Sequence, residues 1–135
     1  MNTLQNTKVE KVATCIIPVG DVDRAIGFYV DKLGLEKRID VPFGGQYRWV
    51  EVAPAGAETT VALAPPREGD PSGGRETGIS FYTQDIDGYH AQLKASGVDV
   101  DDQVSRMGGP VPPMFWLRDP EQNTLMVVGD ADEAS

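Results

Sequence analysis

Two short runs of the chain place aromatic and charged side chains at alternating positions. The runs are Tyr47, Trp49 and Glu51, and then Met114, Trp116 and Arg118. Because successive side chains of a β-strand point to opposite faces, each run would present all its members on one face. Indole and phenol rings on such a face could stack on a flat ligand or attract a cation.

Glu51 could play a second role, since a carboxylate held among aromatic rings can have the raised pKa that a general base needs. Arg118 or Tyr82 would then be its electrostatic helper. The alternative is that Glu51 forms an ion pair with Arg48, with Arg118 or with a surface lysine, and has no catalytic role.

The chain contains one cysteine and one histidine. Cys15 lies within the apolar run VATCII, which is typical of a small buried side chain. A single cysteine excludes an internal disulfide framework and a cysteine-based zinc cluster. His90 falls on a predicted helix at a position that we expect to face the solvent.

The length of 135 residues, of which 40% are hydrophobic, is typical of a single domain spanning residues 1–135 with a core of its own. The net charge of −9 disfavours a nucleic acid partner, because phosphate binding needs a basic face. No apolar run is long enough to cross a membrane, and the first residues are polar. We therefore expect a cytoplasmic protein without a membrane partner.

The elements that would position these side chains occur twice in the same order. A strand-like run at residues 8–18 precedes Asp21, and a second run at residues 76–84 precedes Asp85, which is 64 positions further along. Each aspartate is suited to begin a helix, because its side chain can accept hydrogen bonds from the free N–H groups of the first turn. A glycine then ends each helix, at Gly34 and Gly97.

Three further strand-like runs follow each helix, and turn residues make the last two a hairpin. The first βαβββ module is therefore predicted at residues 8–66 and the second at residues 76–129. Residues 67–75, rich in proline, glycine and charge, form the predicted linker. The acidic residues 130–135 form the predicted flexible tail.

Two phrases in these modules resemble the vicinal oxygen chelate superfamily. They are VGDVDRAIGFYVDKLGLE at residues 19–36 and FWLRDPEQNTLMVV at residues 115–128. The superfamily includes glyoxalase I, extradiol dioxygenases, fosfomycin-modifying enzymes and bleomycin-resistance proteins. The resemblance implies an α+β fold in which two βαβββ modules form a curved mixed sheet with a concave cup, helices on the outer face, and a homodimer. It says little about activity, because this fold hosts many functions.

Alternation along each strand separates core side chains from those facing the cup. Val50 and Val52 are assigned to the core, and pairing across the second hairpin places Trp116 opposite Met126. The predicted ligand-binding residues are Tyr47, Trp49, Glu51, Tyr82, Met114, Trp116, Arg118 and Met126. The alternative is that the aromatic side chains fill the cup as ordinary core.

The resemblance also implies four positions at which enzymes of the superfamily hold a divalent metal ion. In this sequence they are occupied by Thr14, Ala62, Gly78 and Met126. A catalytic metal needs about three imidazole or carboxylate ligands at one point, which these residues do not supply. We therefore predict no metal and no other cofactor.

The function predicted from these observations is that of a small-molecule-binding protein of the glyoxalase/bleomycin-resistance type. It would sequester a drug or metabolite, aromatic or cationic, in an aromatic-lined cup without metal. The alternatives are a metal-independent lyase or isomerase that uses Glu51 as general base, and a scaffold with an interaction role. Whether the chain is an enzyme stays open at this point.

Overall fold

A computed structural model describes residues 7–45 and 47–131 of the chain. The first half contains β1 (Thr14–Pro18), α1 (Val22–Ile26) with a π-helical extension (Gly27–Lys32), β2 (Glu36–Pro42), β3 (Arg48–Ala53) and β4 (Thr60–Ala64). The second half contains β5 (Glu76–Tyr82), α2 (Ile86–Ala95), β6 (Asp99–Val100), β7 (Met114–Arg118) and β8 (Thr124–Val128).

The eight strands form two four-stranded sheets, in the orders β1-β4-β3-β2 and β5-β8-β7-β6. In each sheet the first and last strands of the module pair in parallel, and the other pairs are antiparallel. The predicted α+β fold with two βαβββ modules is thereby confirmed. None of the described helices is long and apolar enough to cross a membrane.

The helix boundaries agree with the capping residues read from the sequence. Asp21 and Asp85 each accept a hydrogen bond from the backbone N–H three residues further on, at 3.1 and 2.9 Å. Gly34 and Gly97 have φ angles of 88° and 87°, a left-handed conformation that glycine adopts without steric strain.

One hydrophobic core joins the two modules. It combines the helix-facing side chains of both sheets, including Val50, Val52 and Val127, with the buried residues of both helices. Phe28 and Tyr29 are neighbours in sequence, yet both are buried, and their rings meet edge to face at 5.1 Å. They lie in the π-helical extension, where each residue turns less about the axis than in an α-helix.

A buried hydrogen-bond network around Asp119 connects the modules. The Asp119 carboxylate accepts from the hydroxyl of Tyr29 at 2.7 Å and from the side-chain amide of Asn123 at 3.1 Å. The Asn123 amide also donates to the carbonyl oxygen of Pro18 at 3.2 Å. Burial, together with the nearby Asp119 carboxylate, raises the pKa of Tyr29, so its hydroxyl stays protonated and donates.

The same hairpin turn makes a second contact with the first module. The Glu121 carboxylate accepts hydrogen bonds from the backbone N–H groups of Gly20, at 2.7 and 2.8 Å, and of Asp21, at 2.8 Å. These groups lie just before α1, where the free N–H groups and the helix dipole favour a negative charge.

The predicted first strand at residues 8–18 is too long, because β1 begins only at Thr14. Its parallel partner β4 has five residues, and the register pairs five residues of the first strand with them. Cys15, which was expected to be buried, is half-buried rather than a core residue.

Of the three strand-like runs predicted after the second helix, the first is reduced to the two residues of β6. Just after β6, Asp101 forms two hydrogen bonds to Trp116 of β7. Its backbone N–H donates to the carbonyl oxygen of Trp116 at 3.0 Å. Its carboxylate accepts from the backbone N–H of Trp116 at 3.2 Å. Of the predicted flexible tail, residues 132–135 lie outside the described residues.

The expectation that His90 faces the solvent is wrong, because its exposed fraction is 9%. The helix face that carries it packs against β7, where the imidazole meets the ring of Phe115 edge to face at 4.9 Å. Its Nε2 atom lies 2.6 Å from the carbonyl oxygen of Asp101.

The Asp119 network predicts a measurable difference between two tyrosine hydroxyls. We expect Tyr29→Phe to lower the free energy of unfolding by about 1–3 kcal/mol, since a buried carboxylate loses a donor. Tyr82→Phe is the matched control: its hydroxyl donates to Asp130 at the surface, so we expect a change within about 0.5 kcal/mol. Urea unfolding of both variants measures these values, and equal losses would contradict the role given to Asp119.

Candidate functional site

The side of the first sheet opposite the core carries an apolar and aromatic surface. The strand register places Ile39, Glu51, Ala62 and Ile16 in one row across β2, β3, β4 and β1. Trp49 lies in the next row, opposite Val41. We call this surface, together with Phe43 and Tyr47 at its end, the first face.

Three aromatic rings form the end of the first face. Phe43 lies 5.8 Å from the ring of Tyr47 and 6.3 Å from that of Trp49, the latter edge to face. Tyr47 precedes β3 and is 56% exposed, and Phe43 is 43% exposed, so the group is open to solvent. The predicted site lacked Phe43, and the signal that could have revealed it is an aromatic residue directly before a Gly-Gly turn leading to Tyr47.

Glu51 is half-buried on this face and is held by two uncharged donors. The indole Nε1–H of Trp49 donates to one carboxylate oxygen at 2.7 Å, and the hydroxyl of Thr60 donates to the other at 2.8 Å. The hydroxyl oxygens of Thr60 and Thr14 are also 2.8 Å apart. The predicted site did not include Thr60.

The alternative in which Glu51 pairs with Arg48 is wrong. Arg48 lies on the core side of β3 and donates to Asp40 and Asp23, each at 2.7 Å. Hydrogen bonds from Arg48 and then Lys37 lower the pKa of Asp40 to about 2. Bonding to the same two carboxylates raises the pKa of Arg48. The guanidinium therefore links β2 to the first turn of α1.

The corresponding surface of the second sheet has the predicted register. Met114 lies opposite Val128, Trp116 opposite Met126, and Arg118 opposite Thr124. We call the surface formed by Tyr82, Met114, Trp116, Arg118 and Met126 the second face. All its members except the exposed Tyr82 are half-buried.

The charge on the second face is already neutralised. Arg118 donates to Asp99 and to Asp101, each at 2.9 Å, and these hydrogen bonds raise the pKa of the guanidinium. The alternative in which Glu51 forms an ion pair with Arg118 is therefore wrong. Tyr82 likewise donates to another carboxylate, that of Asp130, at 2.8 Å.

The structure thus gathers the predicted site residues in two groups, one on each face. A cavity of about 540 Å³ lies where β1 of the first sheet approaches β5 of the second. Its lining includes Cys15, Ile16, Thr60, Gly78, Ser80 and Tyr82, and neither tryptophan contributes to it. Of the eight predicted residues, only Tyr82 lines this cavity.

The four positions at which the resemblance implies metal ligands do not fit a catalytic metal. Ala62 and Gly78 have no donor atom, and Gly78 lies at a bulge of β5 with a φ angle of 72°. The hydroxyl of Thr14 is bonded to Thr60, and Met126 supplies only a thioether. Within residues 7–45 and 47–131, no three His, Cys, Asp or Glu side chains lie close enough to hold one ion.

Comparison with known proteins identifies the family. Residues 11–127 match the profile described as Glyoxalase/Bleomycin resistance protein/Dioxygenase superfamily. The Bacillus subtilis protein YetH is 30% identical over 99 residues, which are 73% of this chain and 82% of YetH.

Two solved structures extend the similarity to nearly the whole fold. A member of the same superfamily from Sphaerobacter thermophilus is 34% identical, with a TM-score of 0.82, over 90% of this chain and 98% of that one. TnmS3, an antibiotic-binding protein from Streptomyces sp. CB03234, is 29% identical, with a TM-score of 0.80, over 91% and 98%.

The lowered pKa of Asp40 predicts a pH dependence of stability. In the folded chain its pKa is about 2, against 3.8 in the unfolded chain. Its ion pair therefore stabilises the fold above pH 3.8 and loses that effect as the pH falls towards 2. We expect the difference in unfolding free energy between the wild type and Asp40→Asn to shrink across this range. Denaturant unfolding at several pH values measures it, and a difference that is constant or grows would contradict the assignment.

Proposed function

The chain belongs to the Glyoxalase/Bleomycin resistance protein/Dioxygenase superfamily, and from this premise we propose that it is a small-molecule-binding protein. It would sequester a drug or metabolite, aromatic or cationic, between aromatic side chains of the first and second faces. The observation that carries the proposal is the solvent-open aromatic group formed by Phe43, Tyr47 and Trp49.

Solvent-exposed aromatic rings are unfavourable in free energy, and a bound ligand that covers them removes that cost. Apolar surface in water is unfavourable by roughly 25 cal/mol per Å², and flat rings gain most from stacking on another ring. The core of this chain is complete without these side chains, since none of them belongs to it. Similarity to TnmS3, which is an antibiotic-binding protein, supports the same role at the level of the family.

We propose that binding needs neither a metal nor another cofactor. The donor set at the four family positions supports this, because a hydroxyl already bonded to Thr60, a thioether and two residues without donors do not make a divalent site. The ligand would instead be held by stacking and by polar groups of the faces.

A homodimer in the cytoplasm is part of the same proposal. Four apolar side chains near the edge strand β2 are between 39% and 56% exposed: Ile39, Val41, Phe43 and Tyr47. A second copy could cover them and bring a second face opposite the first, which would enclose a ligand that one chain leaves open.

The alternative of a metal-independent lyase or isomerase has less support. It needs a group near Glu51 that stabilises developing charge, and the sequence offered Arg118 or Tyr82. Both are bonded to other carboxylates, Arg118 to Asp99 and Asp101 and Tyr82 to Asp130. Glu51 therefore has no such helper among these residues in the described part of the chain.

The binding role predicts that tryptophan fluorescence reports ligand entry without metal. Chelator-treated protein, titrated with flat polycyclic aromatic compounds and bleomycin-like cations, should show saturable quenching, because Trp49 and Trp116 each lie on a proposed binding face. The variants Trp49→Phe and Trp116→Phe, each with one tryptophan left, show which face is occupied. A flat response from all three proteins across the panel would rule out the proposal.

The dimer predicts sedimentation at twice the mass of one chain. Val41→Glu should shift the protein towards monomer, because it places a charge among the apolar side chains beside Trp49. Val9→Glu is the control, since Val9 is 89% exposed and lies outside both faces. A wild type that sediments as a single chain at all concentrations would contradict this part of the proposal.

A further inference from the structure

We propose that Glu51 binds a positively charged nitrogen of the ligand, so that the ligand is an aromatic cation bearing N–H groups. This inference rests on the proposed function and names the class of compound that the first face selects. On the first face Glu51 is bonded only to uncharged donors, whereas on the second face Arg118 is paired with carboxylates.

The negative charge of Glu51 has no counter-charge in the described part of the chain. Its two hydrogen bonds come from the uncharged Trp49 indole and Thr60 hydroxyl. The nearest candidates by sequence, Arg48 and Arg118, are each bonded to two other carboxylates. A half-buried carboxylate of this kind gains strongly from any cation that reaches it.

The carboxylate is also oriented for a ligand. Each oxygen accepts one hydrogen bond from the protein and keeps a second lone pair. Because Trp49 and Thr60 hold opposite oxygens, the group cannot rotate freely, and little ordering is needed when a donor arrives. Two N–H groups of an amine or amidine would match the two free lone pairs.

The surroundings favour a flat cation over a small inorganic one. Ala62 lies beside Glu51 in the row, and Ile39 and Ile16 flank the pair at 39% and 57% exposure. The indole of Trp49 meets the carboxylate with its N–H edge, so a ring stacked on the indole would carry its own N–H groups to Glu51. A bare metal ion would find one carboxylate and no further strong ligand.

The carboxylates at the second face, unlike Glu51, are already bonded to a cationic side chain. Arg118 is neutralised by Asp99 and Asp101, and the remaining large side chains there, Met114, Trp116 and Met126, are uncharged. The first face therefore offers a carboxylate bonded only to uncharged donors, whereas the second offers large apolar side chains beside carboxylates already bonded to Arg118. This difference suits a ring system with its charge at one end.

The experiment compares proflavine, a cationic tricyclic dye, with acridone, an uncharged tricycle of similar shape. Fluorescence anisotropy measures binding of both to the wild type, to Glu51→Gln and to Asp31→Asn. Asp31 is exposed on the π-helical extension, so its variant removes one negative charge far from the faces. Thermal unfolding checks that each variant is folded.

We expect the wild type to bind proflavine about tenfold or more tightly than acridone. Glu51→Gln should lose about that factor for proflavine and keep its affinity for acridone, and Asp31→Asn should change neither. If Glu51→Gln does not fold, Glu51→Asp keeps the charge but withdraws it by one methylene, and a several-fold loss for proflavine alone is expected.

Two results would overturn the inference in distinguishable ways. If acridone binds but proflavine binds no more tightly, the role given to Glu51 is wrong while the binding function stands. The same holds if neither Glu51 variant lowers the affinity for proflavine. If neither dye binds the wild type, the proposed aromatic-binding function fails together with the role given to Glu51.

Discussion

A buried carboxylate constrains the relative position of the two modules within their shared core. Asp119 is 1% exposed, and leaving such a group without donors would be destabilising by several kcal/mol. Its donors come from both modules: Tyr29 from the first helix, and Asn123 from the hairpin that Asp119 itself begins. The network is satisfied only when the second hairpin lies against the end of β1 and the first helix. Both faces are positioned by this constraint, because Trp49 and Trp116 lie on sheets whose opposite sides share the resulting core.

The two modules repeat one plan but have diverged in the chemistry of their open faces. Where the first module has Glu51 in the row of its hairpin, the second has Trp116, and where the first has Ala62, the second has Met126. Each exchange replaces a small or charged side chain by a large apolar one. On the second face Arg118 is paired with the carboxylates of Asp99 and Asp101. On the first face Glu51 is bonded only to the uncharged side chains of Trp49 and Thr60. The repeat thus yields two unlike surfaces, which would suit the asymmetric ligand that we propose.

The parts of this architecture that depend on local rules could be predicted from the sequence. The register of the second hairpin follows from turn position and alternation, and it placed Trp116 opposite Met126 correctly. Ion pairs between distant segments could not be predicted, because several carboxylates were equally plausible partners of Arg118 and only the folded distances distinguish them. The burial of His90 depends in the same way on how α2 packs against β7. The ligand-binding roles of the eight predicted residues remain predictions, although the structure gathers them on two faces.

The residues at the four metal-ligand positions that the resemblance implies, together with the charge of Glu51, bear on the selectivity of the proposed binding site. A divalent metal makes a site positive, so it attracts anions and the lone pairs of oxygen-rich ligands. Here Ala62 occupies one such ligand position, and the carboxylate of Glu51 lies directly beside it in the same row. In the proposed binding site the local charge would therefore be opposite in sign to that of a metal site, and it would disfavour anionic ligands. The net charge of −9 acts in the same direction at longer range. In the proposed complex Glu51 would add the directional contact that a diffuse charge cannot supply.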